Sequence, residues 1–152
     1  MKHLSWDEVD AQSRALAEKV RASLFEPDVL IGIATGGLVP LLVLAKQLGV
    51  KEVLTIAARS YDKGEQKQLF IGALPDADLA GKRVLVVDEI ADSGVTLGKI
   101  MSLIQERYTP SELKSAVLYV HGDNCKQYPD IWIEEVKEWV AFPWERDELP
   151  GS

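Results

Sequence analysis

At 152 residues, with 47% hydrophobic and 27% charged side chains, the chain is sized for one globular domain with a real core and is too short for two of ordinary size. Its formal net charge of −7 argues against general affinity for nucleic acid or an anionic membrane, since phosphate backbones are held chiefly by Lys and Arg. No apolar run approaches the ~20 residues that cross a bilayer, and Met1 to Glu8 lacks the apolar stretch of a secretory signal, so the expected setting is cytoplasmic. The lone Cys125 has no internal disulfide partner, which fits a reducing compartment, and no base accompanies it as it would a nucleophile.

Ser5-Trp6-Asp7-Glu8 reads as a capping box, and Val9, Leu16, Val20 and Leu24 follow near helical spacing, which predicts a helix from about Trp6 to Leu24, ended before Pro27. Val29 to Ile33 is an apolar run of strand length with both faces buried. Ala34-Thr35-Gly36-Gly37 is a tight loop, and Leu38 to Gly49 a helix with Pro40 in its first turn and Gly49 as its stop. Glu52 to Ala58 is a strand, Arg59 to Gln68 a polar and mobile stretch, and Leu69 to Ile71 a short strand beyond it. Arg83 to Val87 is a β-branched strand, Thr96 to Glu106 a helix and Ser115 to Val120 another strand. The tail from Ile131 to Glu145 is aromatic and irregular. Strands separated by helices imply an α/β domain with a mostly parallel, twisted sheet flanked by helices.

In such sheets ligands sit beyond the carboxyl ends of strands. Val84 to Val87 delivers Asp88 and Glu89 to that edge, and Ser93-Gly94-Val95-Thr96 turns the chain into the next helix. Backbone N–H groups at a helix N-terminus suit a phosphate, and paired carboxylates suit ribose hydroxyls and Mg²⁺. Side by side, the two describe a phosphorylated sugar. An acidic strand end alone is commonplace; the whole stretch from Val84 to Thr96 at a strand-to-helix junction is not.

Val84 to Thr96 resembles the phosphoribosyl-pyrophosphate signature of type I phosphoribosyltransferases, and the resemblance extends over nearly the entire chain, nearest to the short xanthine–guanine type. It implies that type's fold over residues 1–152 as a single domain, with a small hood built from about 121–152 and the N-terminal helix. It implies that Asp88 and Glu89 hold the ribose diol and Mg²⁺, and that Ala91, Asp92, Ser93, Gly94, Val95 and Thr96 cradle the ribose 5-phosphate. Asp92 stands where members acting on 6-oxopurines carry a carboxylate, and a carboxylate near N7 of the base can accept its proton. Read without the resemblance, Asp92 is equally a helix N-cap.

Thr35, Gly36 and Gly37 resemble the pyrophosphate loop, although the family usually has a basic residue at the Thr35 position. Arg59 to Lys67 resembles the start of a loop that closes over the site, where Lys67 supplies charge to the pyrophosphate. Trp139-Val140-Ala141-Phe142-Pro143-Trp144-Glu145 resembles the base-binding segment: Trp139 stacks on the purine, the Val140 backbone meets its polar edge, and Glu145 lies near its exocyclic group or the metal. Trp132 and Trp144 read equally as core or subunit interface. The family's lysine for the purine 6-oxygen is absent. Val120 or His121 falls there, His121 being able to donate a hydrogen bond, and Lys126 is a further candidate.

The resemblance therefore implies an enzyme, a Mg²⁺-dependent purine phosphoribosyltransferase. Its partners are phosphoribosyl pyrophosphate, a 6-oxopurine base (guanine, xanthine or hypoxanthine) and the nucleotide product, and it is a homodimer or homotetramer. Two alternatives stay open: a nucleotide-binding regulator that has lost catalysis, and the same transfer to a different base.

Overall fold

The computed structural model describes residues 1–63 and 66–145, without side-chain detail at 61–67. In chain order the elements are β1 (Lys2–His3), α1 (Trp6–Ala22), β2 (Val29–Ala34), α2 (Leu38–Leu48), β3 (Glu52–Lys63), β4 (Gln66–Ile71), β5 (Arg83–Ala91), α3 (Val95–Tyr108), β6 (Glu112–His121), β7 (Ile131–Val136), β8 (Val140–Ala141) and a 3₁₀ turn at Pro143–Glu145. The fold is an α/β sandwich. A 6-stranded sheet has the order β4-β3-β2-β5-β6-β7, parallel except for β4, and a 2-stranded parallel sheet joins β1 to β8.

Strand side chains alternate between two cores. Leu30, Leu85 and Val87 turn to the face covered by α1 and α2, where Leu16, Val20, Leu41 and Leu44 meet them. Val29, Ile31, Val84 and Val86 turn to the opposite face, against Leu97, Ile100 and Ile104 of α3. Each such fully buried aliphatic side chain contributes roughly 1.5–3 kcal/mol against exposure, so burial on both faces holds the central strands rigidly. Among the described residues no helix is long and apolar enough to cross a membrane.

Three boundaries differ from the sequence reading in ways that matter. Arg59 to Gln68, expected to be polar and mobile, is not without regular structure in its described arms: β3 continues to Lys63 and pairs antiparallel with β4, from Lys63↔Gln66 to Ala58↔Ile71. The tail is not irregular either, because Ile131–Val136 joins the main sheet beside β6. Only Ile131 and Val136, at the two ends of β7, are buried, so no period-two apolar alternation marked the strand. Of the segments expected to build a hood, α1 and β7 pack into the main body, while β1 and β8 form the small second sheet and the 3₁₀ turn follows it.

The third difference concerns β5, which runs four residues past Val87 to Ala91. Its pairing with β2 ends at Gly32↔Val87, whereas its pairing with β6 continues to Ala91↔Val120. On the other side β2 stays with β3 to Ala34↔Ala57. The sheet thus parts between β2 and β5 at the point where strand order reverses, leaving a crevice at the carboxyl ends of the strands. Asp88 and Glu89 stand on its wall, on strand backbone still held by β6.

Candidate active site

The crevice is a cleft of about 390 Å³ walled by Thr35 and Gly36 after β2, Arg59 and Ser60 on β3, Asp88 to Gly94 at and beyond the end of β5, Thr96 at the head of α3, and Trp144 and Glu145 from the 3₁₀ turn after β8. A second hollow of about 160 Å³ adjoins it, lined by His121, Glu138, Trp139, Val140 and Phe142, and the two share Glu89, Ile90, Asp92 and Glu145.

Both helices that begin at the cleft are left uncapped. The N-cap of α2 is Gly37 and that of α3 is Gly94, and neither makes a side-chain capping bond. By contrast α1, which begins away from the cleft, has a complete capping box: Glu8 N–H donates to Ser5 Oγ at 3.1 Å and Ser5 N–H to Glu8 Oε1 at 3.2 Å. Open N-termini present N–H groups and the positive dipole end to an anion. Ser93 Oγ accepts from Val95 N–H at 3.2 Å, and Asp92, which read equally as an N-cap, does not cap.

Glycine permits the close approaches. A Cβ on Gly37 would lie 2.6 Å from the Ile33 carbonyl oxygen and 2.8 Å from that of Val87, so the turn into α2 rests directly on the strand backbones. Gly94 has φ 84°, in the left-handed region, and a Cβ there would collide with the Gln127 carbonyl oxygen. The segment after β6 supports this turn from below, with Lys126 N–H donating to the Ser93 carbonyl at 2.8 Å.

The acidic pair is enclosed. Glu89 N–H donates to Asp88 Oδ1 at 2.9 Å. Burial pushes the Asp88 carboxyl up to about 6, and burial, then the neighbouring Asp88 charge, holds Glu89 well above the usual carboxylate range. Two desolvated carboxylates side by side need a proton, a cation or hydroxyl donors.

Asp92 sits at the seam between cleft and hollow. Asn124 Nδ2 donates to its Oδ1 at 2.8 Å, and His121 Nδ1 faces the same oxygen at 3.7 Å. That ring nitrogen is buried and otherwise without a hydrogen-bond partner among the described residues.

The segment around β8 supplies a flat surface. Lys2 N–H donates to the Trp139 carbonyl at 2.8 Å and Leu4 N–H to that of Ala141 at 3.0 Å. Alternation along a strand turns the intervening Val140 main chain to the other edge, where it borders the hollow. Trp139 lies open at 58% exposure, whereas Trp144 stacks on Phe142 with centroids 4.8 Å apart and leans on Trp6 at 5.8 Å. Glu145 Oε1 accepts from Phe142 N–H at 2.9 Å, which fixes its carboxylate at the boundary.

A crevice at the switch point, two open helix ends and an acidic strand between them match one known arrangement throughout. The family model described as phosphoribosyl transferase domain matches residues 5–148. The chain belongs to that family. It is 32% identical to the xanthine-guanine phosphoribosyltransferase of Cereibacter sphaeroides over 152 aligned residues, covering 94% of this chain and 86% of that protein. Among solved structures it resembles a purine phosphoribosyltransferase from Pyrococcus horikoshii, with a TM-score of 0.84 and 34% identity over 97% of this chain and 95% of the other. The Helicobacter pylori xanthine-guanine-hypoxanthine phosphoribosyltransferase gives a TM-score of 0.85 at 29% identity with the same coverage. The fold is accordingly the type I phosphoribosyltransferase fold.

Of the residues singled out for this chemistry, Thr35, Gly36, Asp88, Glu89, Ala91, Asp92, Ser93, Gly94 and Thr96 line the cleft. His121, Trp139, Val140 and Glu145 line the hollow. Gly37 lies beneath the loop, and the Val95 side chain turns instead to the outer face of α3. Lys67 is a side chain outside the described residues. Val120 is fully buried, which leaves His121 as the residue at the strand end that reaches the hollow. Sequence reasoning missed Asn124, whose only signal is a polar side chain in a turn; Arg59 and Ser60, expected in a segment over the site, line the cleft from β3.

Proposed function

We propose that this phosphoribosyltransferase moves the 5-phosphoribosyl group from phosphoribosyl pyrophosphate to a 6-oxopurine, releasing pyrophosphate and forming a nucleoside monophosphate, as a cytoplasmic step of purine salvage. The observation that carries the reading is the position of Asp92 at the seam of a phosphate-binding cleft and a hollow with an exposed tryptophan. There the ribose carbon and the base nitrogen must meet, and a carboxylate within reach of the imidazole ring of the purine accepts the proton lost as the new bond forms.

The remaining roles follow from position. Ser93, Gly94, Val95 and Thr96 offer the open end of α3 to the 5-phosphate, with Ala91 at its edge. Thr35, Gly36 and Gly37 offer the open end of α2 to the pyrophosphate, and the family resemblance assigns Lys67 as a further source of charge for it. Trp139 stacks on the base, the Val140 main chain and Glu145 meet its polar edge, and His121 donates to its 6-oxygen. Asp88 and Glu89 hold the ribose hydroxyls.

The same two carboxylates fit Mg²⁺. They form a desolvated oxygen-donor pair, the donor chemistry of an ion that takes its other ligands from substrate oxygens and water. Bound there, Mg²⁺ supplies charge neutralisation for the leaving pyrophosphate. Exposed Leu38, Leu42 and Val53, gathered along one shallow groove, supply apolar surface for a homodimer or homotetramer.

A coupled assay with guanine, xanthine and hypoxanthine tests the reading. Nucleotide forms with at least one; no product with any, from folded protein with the donor and Mg²⁺, overturns it. Thr35 in the loop after β2, where the family usually has a basic residue, and His121 at the strand end, where it usually has a lysine, favour a second reading, a nucleotide-binding protein without turnover. Calorimetric binding of nucleoside monophosphates in the absence of any transfer, adenine included among the bases, is its signature.

A further inference from the structure

The cleft walls carry four carboxylates, those of Asp88, Glu89, Asp92 and Glu145, and among the described residues one cation, Arg59. A donor with a diphosphate leaving group is strongly anionic, and Thr35 brings no charge to the loop that approaches it. We propose that Arg59 is a cation that binds the pyrophosphate end of the donor. The proposal rests on the phosphoribosyl-transfer reading and adds a ligand residue to it.

Register places Arg59 at that loop. β3 pairs with β2 through Ala34↔Ala57, so Arg59 stands two residues past the last pair, level with the start of the Thr35–Gly37 loop, and both line the cleft. Ile56 packs into the core on the α3 side, and strand alternation therefore turns Ala57 and Arg59 to the other face, where Thr35 to Gly37 leads into α2. Two contacts keep the residue in place. Its guanidinium lies 5.1 Å from the centroid of the Phe70 ring, the residue paired with it on β4. The neighbouring Ser60 Oγ is 3.3 Å from Thr96 Oγ1, which ties this arm of the hairpin to the head of α3.

No described carboxylate lies within ion-pairing distance of Arg59, whereas Arg14, Arg21 and Arg83 each have an acidic partner. Its donors are thus available to a ligand. A guanidinium offers parallel N–H donors that match two phosphate oxygens at once, and it keeps its charge at every working pH. A cation–π contact with Phe70 uses the ring face and takes none of those N–H donors as a hydrogen bond.

The test compares Arg59→Gln, Arg59→Lys and Arg59→Gln/Thr35→Lys with the native full-length chain. Inorganic pyrophosphate and guanosine monophosphate are titrated by calorimetry, and KM is measured separately for donor and base. Losing one charged phosphate contact weakens pyrophosphate binding and raises donor KM by about 10- to 100-fold. Base KM and monophosphate binding, which involve no pyrophosphate, stay within about twofold, Arg59→Lys keeps part of the affinity, and the added lysine at position 35 restores part of it. An unchanged pyrophosphate constant in folded Arg59→Gln overturns the assignment, and so does an equal loss of monophosphate binding. If the native chain transfers to no base, the functional reading fails while pyrophosphate titration still decides the role of Arg59.

Discussion

The carboxylate of Glu89 occupies the space that a side chain at Gly36 would need: a Cβ built on Gly36 collides with Glu89 Oε2. The loop after β2 and the acidic end of β5 are therefore fitted to each other across the parted sheet. Gly36 needs no left-handed backbone, so its role is space. Gly36→Ala is expected to displace the Glu89 carboxylate while leaving both cores intact. Misplacing a positioning group by about 1 Å costs about 100-fold in rate. The expected result is a fall of that order in kcat/KM for the donor with a melting temperature within a few degrees of native; activity within twofold of native would show that the fit is incidental.

Asp92→Asn keeps the shape and the Asn124 contact but removes the proton acceptor. General-base catalysis contributes about 100- to 10,000-fold, so kcat should fall within that range while donor KM changes little. Asn124→Ala frees the Asp92 carboxylate to rotate, and kcat should fall by a smaller factor. In the double variant the two losses should not multiply, since Asn124 acts through Asp92. Multiplying losses in steady-state kinetics would place Asn124 in a separate role.

Ligand-free stability should depend on pH with opposite signs in two windows. Asp88 and Glu89 titrate above their ordinary values, Asp88 at about 6 against 3.8, so between those values the folded state holds protons that the unfolded chain has released. Stability from this pair is full below about pH 4 and is lost as pH rises through about 6. Asp28, hydrogen-bonded by the Arg83 side chain and N–H, is held at about 2, so its contribution is present above 3.8 and is lost as pH falls through about 2. That second effect is small because the pair is largely solvated. Urea midpoints followed from pH 3 to 8 check the signs, with Asp88→Asn expected to flatten the upper window. Donor binding with Mg²⁺ should strengthen over the same upper window, because the carboxylates must release protons to bind the ion.

Trp139 is exposed at 58% beside the hollow, while Trp144 is stacked and Trp132 packs against Tyr128. Nucleoside monophosphate binding should therefore quench mainly the Trp139 fluorescence. Stacking of a base on an aromatic ring is worth roughly 1–3 kcal/mol, so Trp139→Ala should raise base KM by about 5- to 150-fold and abolish most of the quench. Full quenching in that variant would move the base to another surface.

Local sequence determined the chemical inventory and most of the elements. Ser5 and Glu8 announced the first helix, β-branched runs announced the central strands, and the stretch from Val84 to Thr96 set acids and an open helix end at fixed spacing, because backbone hydrogen bonding and side-chain alternation act over a few residues. Long-range pairing decided the rest. β7 was hidden because its strand character comes from lying beside β6, and the arms of the hairpin because β3 and β4 stabilise each other. Only the tertiary structure brought Asn124 onto Asp92, across 32 residues of chain, and turned Arg59 toward a loop on a different strand. The parting of β2 from β5 after Gly32↔Val87 belongs to the same class. It converts an acidic stretch into the wall of a cleft, a property of two strands that neither strand's residues encode alone.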